Sequence, residues 1–230
     1  CAGAITNNGV GIAGASWGCK LMPVRVGYLN SSGNGVSYST HMSAGIIYAA
    51  QNGAHIINHS FGGSSALSYA VSVARAEDAL IVHSAGNDNE DVADYMDSHP
   101  EVITVAATDQ NDIKSGFSNF GTWVNCSAPG TAIYSTGYEH VTGSSVYEVK
   151  DGTSMATPIT GGALALIWSA NPGWTDEQVR AHLLANCDDI DAVQAPAHVG
   201  KMGVGRVNLL KALGDRVQQV PDEFDLLFDA

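Results

Sequence analysis

The sequence predicts an α/β domain of three layers, in which a mostly parallel central sheet carries helices on both faces. Short runs rich in Val and Ile alternate with amphipathic stretches, and this alternation is typical of a parallel sheet covered by helices. The 26 glycines among 230 residues indicate many tight connections. Because 45% of the residues are hydrophobic and 14% are charged, the chain can bury a substantial core as one domain.

In the first half of the chain, hydrophobic patterning predicts three strands and two helices. Residues 20–26 are predicted to form a strand, and residues 40–51 a helix that ends at an Asn-Gly pair. Residues 54–58 are the next predicted strand. Helical spacing of apolar residues predicts a helix over residues 67–77, and residues 80–84 form a short strand that leads into Ala-Gly-Asn.

The second half continues with a strand, a hairpin and a long helix. Residues 102–106 are predicted to form a buried strand. Residues 131–136 and 146–150 bracket a turn that contains Gly and Ser, which predicts a hairpin. An apolar stretch predicts a long helix over residues 154–169.

The C-terminal part contains two further predicted helices. Thr175 and Gln178 have the spacing of a capping box, which predicts a surface helix over residues 175–185. A final helix is predicted near residues 209–213. Residues 215–230 are acidic and are predicted to be a tail or the start of a linker, so the domain covers residues 1–214.

Charge and cysteine content exclude several function classes. The formal charge of −13 repels phosphate backbones and anionic lipid heads, so we expect neither a nucleic-acid partner nor a membrane partner. The four cysteines lack any Cys-x-x-Cys pair, which leaves a zinc site without support. Cys19 and Cys126 lie in apolar runs and are interpreted as buried thiols, while the disulfide state stays open.

The most specific motif is Asp-Gly-Thr-Ser-Met-Ala-Thr-Pro at residues 151–158, between a predicted strand and the long helix. Ser154 would lie at the N-terminus of that helix, where free N–H groups and the helix dipole favour a developing negative charge. Ser154 is therefore a candidate nucleophile. The alternative for an isolated Gly-Thr-Ser is an ordinary helix-capping serine.

This motif resembles the nucleophile motif of the subtilisin-like serine proteases, the subtilases, and the resemblance extends over most of the chain. Cys1-Ala2-Gly3 resembles the residues that follow the family's histidine motif. The resemblance implies a serine endopeptidase that forms an acyl-enzyme at Ser154, with no cofactor needed for the chemistry. It also implies protein or peptide substrates, secretion to the extracellular space and an N-terminal prodomain in the full-length protein.

Ala85-Gly86-Asn87 resembles the segment of this family that stabilises the oxyanion. Asn87 follows a predicted buried strand at its carboxyl end, where open α/β sheets place their ligands. Its amide is expected to donate to the oxyanion together with the N–H of Ser154. A Gly-Asn pair by itself is more often a turn.

Two glycine-containing segments resemble the family segments between which a substrate backbone lies as an added strand. The first is Gly33-Asn34-Gly35 and the second is Ser60-Phe61-Gly62-Gly63. Their glycines would let another backbone approach. Without the resemblance, both segments would be interpreted as turns.

Acidic residues near the expected specificity pocket raise a further hypothesis. Asp94 and Asp97 lie where the family usually has small residues, and their charge would favour a basic substrate side chain. The alternative is a solvated acidic loop. Structural calcium is familiar in the family, but the loop at residues 6–9 is shortened and Asn125 replaces an aspartate of some relatives, so the metal assignment stays unknown.

The family order Asp, His, Ser implies that both partners of the serine precede Cys1. The sequence given is then an N-terminally truncated subtilisin-like domain, inactive by itself. None of its eight histidines has the context of a catalytic base. Two alternatives remain: a non-catalytic homologue that binds peptides, against which Ser154 and Asn87 argue, and a sedolisin, whose oxyanion donor is an aspartate rather than Asn87.

Overall fold

The computed structural model describes residues 1–139 and 142–214. Strands β1 (Gly27–Leu29) and β2 (Gly35–Ser37) form a small antiparallel hairpin. The central sheet contains four parallel strands in the order β3, β4, β5 and β6, which are Ile56–His59, Leu80–Ser84, Val102–Thr108 and Cys126–Pro129. Strands β7 (Ile133–Glu139) and β8 (Ser144–Lys150) form a second antiparallel pair, which confirms the predicted hairpin.

Within residues 1–139 and 142–214, five α-helices accompany the sheet. They are α1 (Ser39–Gln51), α2 (Ser68–Ala76), α3 (Thr153–Ala170), α4 (Asp176–Ala185) and α5 (Leu209–Leu213). All five lie within a few residues of their predicted bounds. Thr175 and Gln178 form the predicted capping box at the start of α4. Among the described residues, no helix combines the length and apolarity that crossing a membrane requires.

The sheet has a hydrophobic core on each face, because alternate residues of a strand point to opposite sides. On β4, Leu80 and Val82 pack in the cluster formed with α3, α4 and α5. Ile81 packs in the other cluster, with α1 and α2. This arrangement confirms the three-layer α/β prediction.

The predicted strand at residues 20–26 is wrong. Val24 and Val26 do pack against α1, since a Cβ added to Gly45 would meet their side chains. However, the backbone of this run forms no strand. Pro23 removes one of its donors, and Leu21 is exposed.

Two other predictions concern the cysteines and the C-terminus. Cys126 is fully buried at the start of β6, as predicted, whereas Cys19 is half-buried, and all four cysteines are free thiols. The predicted tail at residues 215–230 lies outside the described residues, and the division at residue 214 stays a prediction.

Candidate active site

The carboxyl ends of the parallel strands and the N-terminus of α3 meet at one edge of the sheet. Ser60 follows β3, Ala85 follows β4, and Gly130 follows β6. The N–H of Gly152 donates to the carbonyl of Gly130 at 2.8 Å, which ties the start of α3 to this edge. Open α/β sheets bind ligands at such an edge.

Ser154 lies in the first turn of α3, one residue after the helix begins. Gly152 precedes the helix with a φ of 154°, a conformation that favours glycine. The N–H of Ser154 has no acceptor within the described residues, and its side chain is half-buried. The serine therefore offers both a hydroxyl and an unused helix N-terminal N–H at the surface.

Pro158 explains how the first turn of α3 is connected to β3. A residue with an N–H at this position would bond the carbonyl of Ser154, but proline has none. The hydroxyl of Ser60 donates to that carbonyl instead, at 3.3 Å. This bond joins the segment of residues 60–63 to the nucleophile helix.

Asn87 is fixed through its side-chain oxygen. Its Oδ1 accepts the N–H of Thr153 at 2.9 Å and the hydroxyl of Thr153 at 3.0 Å. The same hydroxyl lies 3.3 Å from the N–H of Gly86. Because Oδ1 accepts both donors, Nδ2 is the end of the amide that forms no hydrogen bond within the described residues.

Asn119 holds the loop that carries Asn87 and was missed by sequence reasoning. Its Oδ1 accepts the N–H groups of Asp88 and Glu90, at 2.9 and 3.1 Å. Gly86 has a φ of +99°, and a Cβ there would lie 2.4 Å from Asn119 Nδ2. The loop therefore requires glycine at this position for both its backbone conformation and its close packing.

The two predicted substrate-binding segments adjoin different sheets. Gly33-Asn34-Gly35 forms the turn and first residue of the β1–β2 hairpin, where Gly33 has a φ of +77°. Ser60-Phe61-Gly62-Gly63 continues directly from β3. A Cβ added to Gly62 would meet no atom within 4 Å, and Phe61 is 44% exposed, so the middle of this segment is open.

A hydrogen-bonded network of three polar side chains, the His59–His83–Asp94 network, lies under residues 60–63. His59 Nδ1 is 3.1 Å from His83 Nδ1, and His83 Nε2 is 3.0 Å from Asp94 Oδ2. The N–H of Gly63 donates to the same oxygen of Asp94 at 2.6 Å. Sequence reasoning placed both histidines in or beside strands but could not pair them.

The charges of the His59–His83–Asp94 network follow from its contacts. Burial, together with a smaller effect of the neighbouring His83, lowers the pKa of His59 to about 4. Burial by itself would raise the pKa of Asp94, but His83 and the N–H groups of Gly63 and Met96 bring it down to about 2. The Asp94 carboxylate is thus ionised beside neutral His59 at neutral pH.

The same geometry bears on the hypothesis of a basic-residue pocket. The Asp97 side chain is only 1% exposed, and burial raises the pKa of its carboxyl. Its oxygens accept the N–H of Asp94 and the hydroxyl of Thr104. Asp97 is therefore not placed to meet a substrate, and the hypothesis is left with Asp94, whose side chain is 33% exposed.

Two groups of residues carry side chains of the kind that bind metal ions. His83, Asp94 and Asp97 bring ligand-type atoms within 4.8 Å of one another, but both carboxylates already accept hydrogen bonds from Gly63, Met96 and Thr104. Among the residues considered for calcium, Asn8 Oδ1 accepts the N–H of Val10 and Asn125 Oδ1 accepts the N–H of Thr104, so both oxygens already have a partner within the protein.

Comparisons with known proteins show which family the chain resembles. The model of the subtilase family matches residues 1–205. Thermitase from Thermoactinomyces vulgaris is 39% identical over 219 residues, which are 93% of this chain and 73% of thermitase. An extracellular protease from Xanthomonas campestris is 37% identical over 181 residues, 74% of this chain and 31% of that protein. The structure of a protease from Pseudoalteromonas arctica matches with a TM-score of 0.81 and 30% identity, over 92% of this chain and 67% of that one.

Proposed function

Because the chain belongs to the subtilase family of serine proteases, we propose that its full-length protein is an endopeptidase with Ser154 as the nucleophile. The observation that carries the proposal is the orientation of Asn87. Its oxygen accepts two hydrogen bonds from Thr153, the residue before Ser154, so Nδ2 is left to donate near the start of α3. Two donors next to a helix N-terminal serine can hold a developing oxyanion.

The reaction follows from these groups. Ser154 Oγ attacks the carbonyl carbon of a peptide bond while a base takes its proton, and the carbonyl oxygen becomes the oxyanion between Asn87 and the Ser154 N–H. The C–N bond then breaks, the amine leaves with the proton, and an ester to Ser154 remains. Water hydrolyses the ester to release the acid. The chemistry needs no cofactor.

The base is assigned to a histidine upstream of Cys1, oriented by an upstream aspartate, in keeping with the family order Asp, His, Ser. Within the described residues, no histidine forms a hydrogen bond with Ser154 Oγ. Residues 1–230 without an upstream segment are accordingly proposed to be inactive. Proteins or peptides are the proposed substrates, and the open residues Phe61 and Gly62 would receive their backbone.

Secretion and an N-terminal prodomain are carried over from the resemblance to the family. Secretion is supported by the relative from Xanthomonas campestris, which is named an extracellular protease. Calcium is not assigned to any residue of this chain.

The proposal is tested by replacing Ser154 in the full-length protein. Ser154→Ala should lower turnover of a peptide substrate by several orders of magnitude while peptide binding persists, because the hydroxyl is needed only for the covalent step. Ser169→Ala is a matched control at the other end of α3, where the hydroxyl bonds its own helix at Leu166, and it should leave turnover unchanged. Undiminished turnover by Ser154→Ala would refute the assignment, and peptide binding without any turnover by the wild type would favour the non-catalytic alternative.

A further inference from the structure

Residues 60–63 are held at both ends and open in the middle. At one end, the hydroxyl of Ser60 donates to the carbonyl of Ser154 at 3.3 Å. At the other end, the N–H of Gly63 donates to Asp94 Oδ2 at 2.6 Å. Between them, Phe61 is 44% exposed with its ring edge-on to His59, and a Cβ added to Gly62 would meet no atom within 4 Å. The position of this open stretch is therefore set by the two bonds at its ends.

The bond between the N–H of Gly63 and Asp94 depends on the His83 side chain, which touches neither the open face of residues 60–63 nor solvent. Asp94 Oδ2 accepts from Gly63 and from His83 Nε2, which lies 3.0 Å away. The His83 side chain is completely buried. Since an ionised carboxylate only accepts hydrogen bonds, His83 is the donor, and it directs this oxygen toward Gly63.

His59 fixes the other side of the His83 ring. The Nδ1 atoms of the two histidines face each other at 3.1 Å, a separation that holds one shared proton. The carbonyl oxygen of His59 also lies 3.3 Å from His83 Nδ1. Both rings are buried, so water cannot replace either contact.

We propose that His83 is a positioning residue for substrate binding: by holding Asp94 against the N–H of Gly63, it sets residues 60–63 in the conformation that pairs with a substrate backbone. The inference rests on the proposed function, since it takes this segment to be part of the substrate groove. His83 touches no reacting atom, so its effect belongs to substrate affinity and not to the chemical step.

The test compares two amides of similar size in place of the imidazole, in the full-length protein. His83→Gln can place an N–H near the position of Nε2 and so keep the bond to Asp94. His83→Asn reaches only the position of Nδ1 and loses that bond. His182→Asn is the control, because this histidine bonds the Ala212 carbonyl near α4 and α5, away from the groove.

Peptide affinity is measured in the Ser154→Ala background, so the result does not depend on turnover. His83→Asn should weaken binding about tenfold, while His83→Gln should stay close to the parent protein. The exchange of the Gly63 amide hydrogen should quicken in His83→Asn and slow again in His83→Gln. In the active protein, the loss should appear in KM with kcat nearly unchanged.

Coupling through Asp94 gives a second check. Asp94→Asn puts an N–H2 group opposite the donors of His83 and Gly63, and adding His83→Asn to it should weaken binding no further. Equal affinities of His83→Asn and His83→Gln, or a loss in the His182→Asn control of the same size, would overturn the proposal. If the wild type bound peptide but did not cleave it, the proposed function would be refuted. The comparison of peptide affinities between His83→Asn and His83→Gln would still be valid, because it does not depend on turnover.

Discussion

The Asn87 side chain combines a structural contact with a chemical one. Its oxygen caps the start of α3 through Thr153, and its Nδ2 is the proposed oxyanion donor. Asn87→Ala should therefore lower kcat by about 10²–10³ with little change in KM, the size measured when one such donor was removed from a subtilisin. Steady-state kinetics of the full-length protein give both constants.

The control for this substitution is Asn111→Ala, because Asn111 is exposed and outside the site. The lost cap should also reduce the free energy of unfolding of Asn87→Ala by about 1 kcal/mol. A loss confined to KM would make Asn87 a substrate-binding residue instead of an oxyanion donor.

The buried His59 should make the free energy of unfolding depend on pH. Its pKa is about 4 in the folded protein, below the ordinary value near 6.5, because burial disfavours the charged ring. The folded state thus binds fewer protons than the unfolded state between these values. The contribution of His59 to stability is complete above about pH 6.5 and is lost as the pH falls toward 4, by roughly 3 kcal/mol in all.

The measurement is urea unfolding of the wild type and of His59→Leu between pH 4.5 and 7. Leucine does not titrate, so the difference in unfolding free energy between the two proteins should change in favour of the variant as the pH falls. If the unfolding free energies of the two proteins changed with pH in parallel, His59 would not be held neutral by its site.

Ser154 and Asn87 could be predicted from sequence because each lies in a short contiguous motif whose position relative to a strand or helix is visible in the sequence. The hydrogen-bonded His59–His83–Asp94 network could not be predicted from the sequence. It depends on the parallel register of β3 and β4, which sets His59 opposite His83, and on a loop that folds back to bring Asp94 under Gly63. Neither is encoded in local spacing.

At the scale of single elements, the capping box of α4 offers a clean test. The Thr175 hydroxyl accepts the N–H of Gln178, and the Gln178 side chain accepts the N–H of Thr175. Thr175→Ala should lower the free energy of unfolding by about 1 kcal/mol, while Thr175→Ser should retain most of the stabilisation that the cap provides. Equal losses in the two variants, measured by urea unfolding, would mean that the hydroxyl does not cap the helix.

Elements were predicted well where they are long or strongly apolar and poorly where packing decides. The 18 residues of α3 and the fully buried β4 and β5 have clear hydrophobic patterns. Strand β6, with the sequence Cys-Ser-Ala-Pro, has no β-branched residue, and its bounds were not predicted, because its pairing with β5 supplies the stability. Residues 20–26 have the apolar content of a strand but pack as irregular chain.

For the whole molecule, the parallel sheet explains why distant residues form one site. The strand ends at Ser60 and Ala85 and the start of α3 all lie at one edge, although Ser60 and Ser154 are 94 residues apart in the chain. Within the described residues, no histidine is hydrogen-bonded to Ser154 Oγ, and the proposed mechanism assigns the base to the upstream segment.

The most direct test of the account is covalent labelling of Ser154 by a fluorophosphonate, with the modified peptide identified by mass spectrometry. The full-length wild type should carry the label on Ser154, while full-length Ser154→Ala and residues 1–230 alone should remain essentially unlabelled, because reaction requires both the hydroxyl and an upstream base. A label on another residue of the wild type, or labelling of the Ser154→Ala protein at the wild-type rate, would contradict the assignment of the nucleophile. Labelling of residues 1–230 at the full-length rate would show that the chain contains its own base.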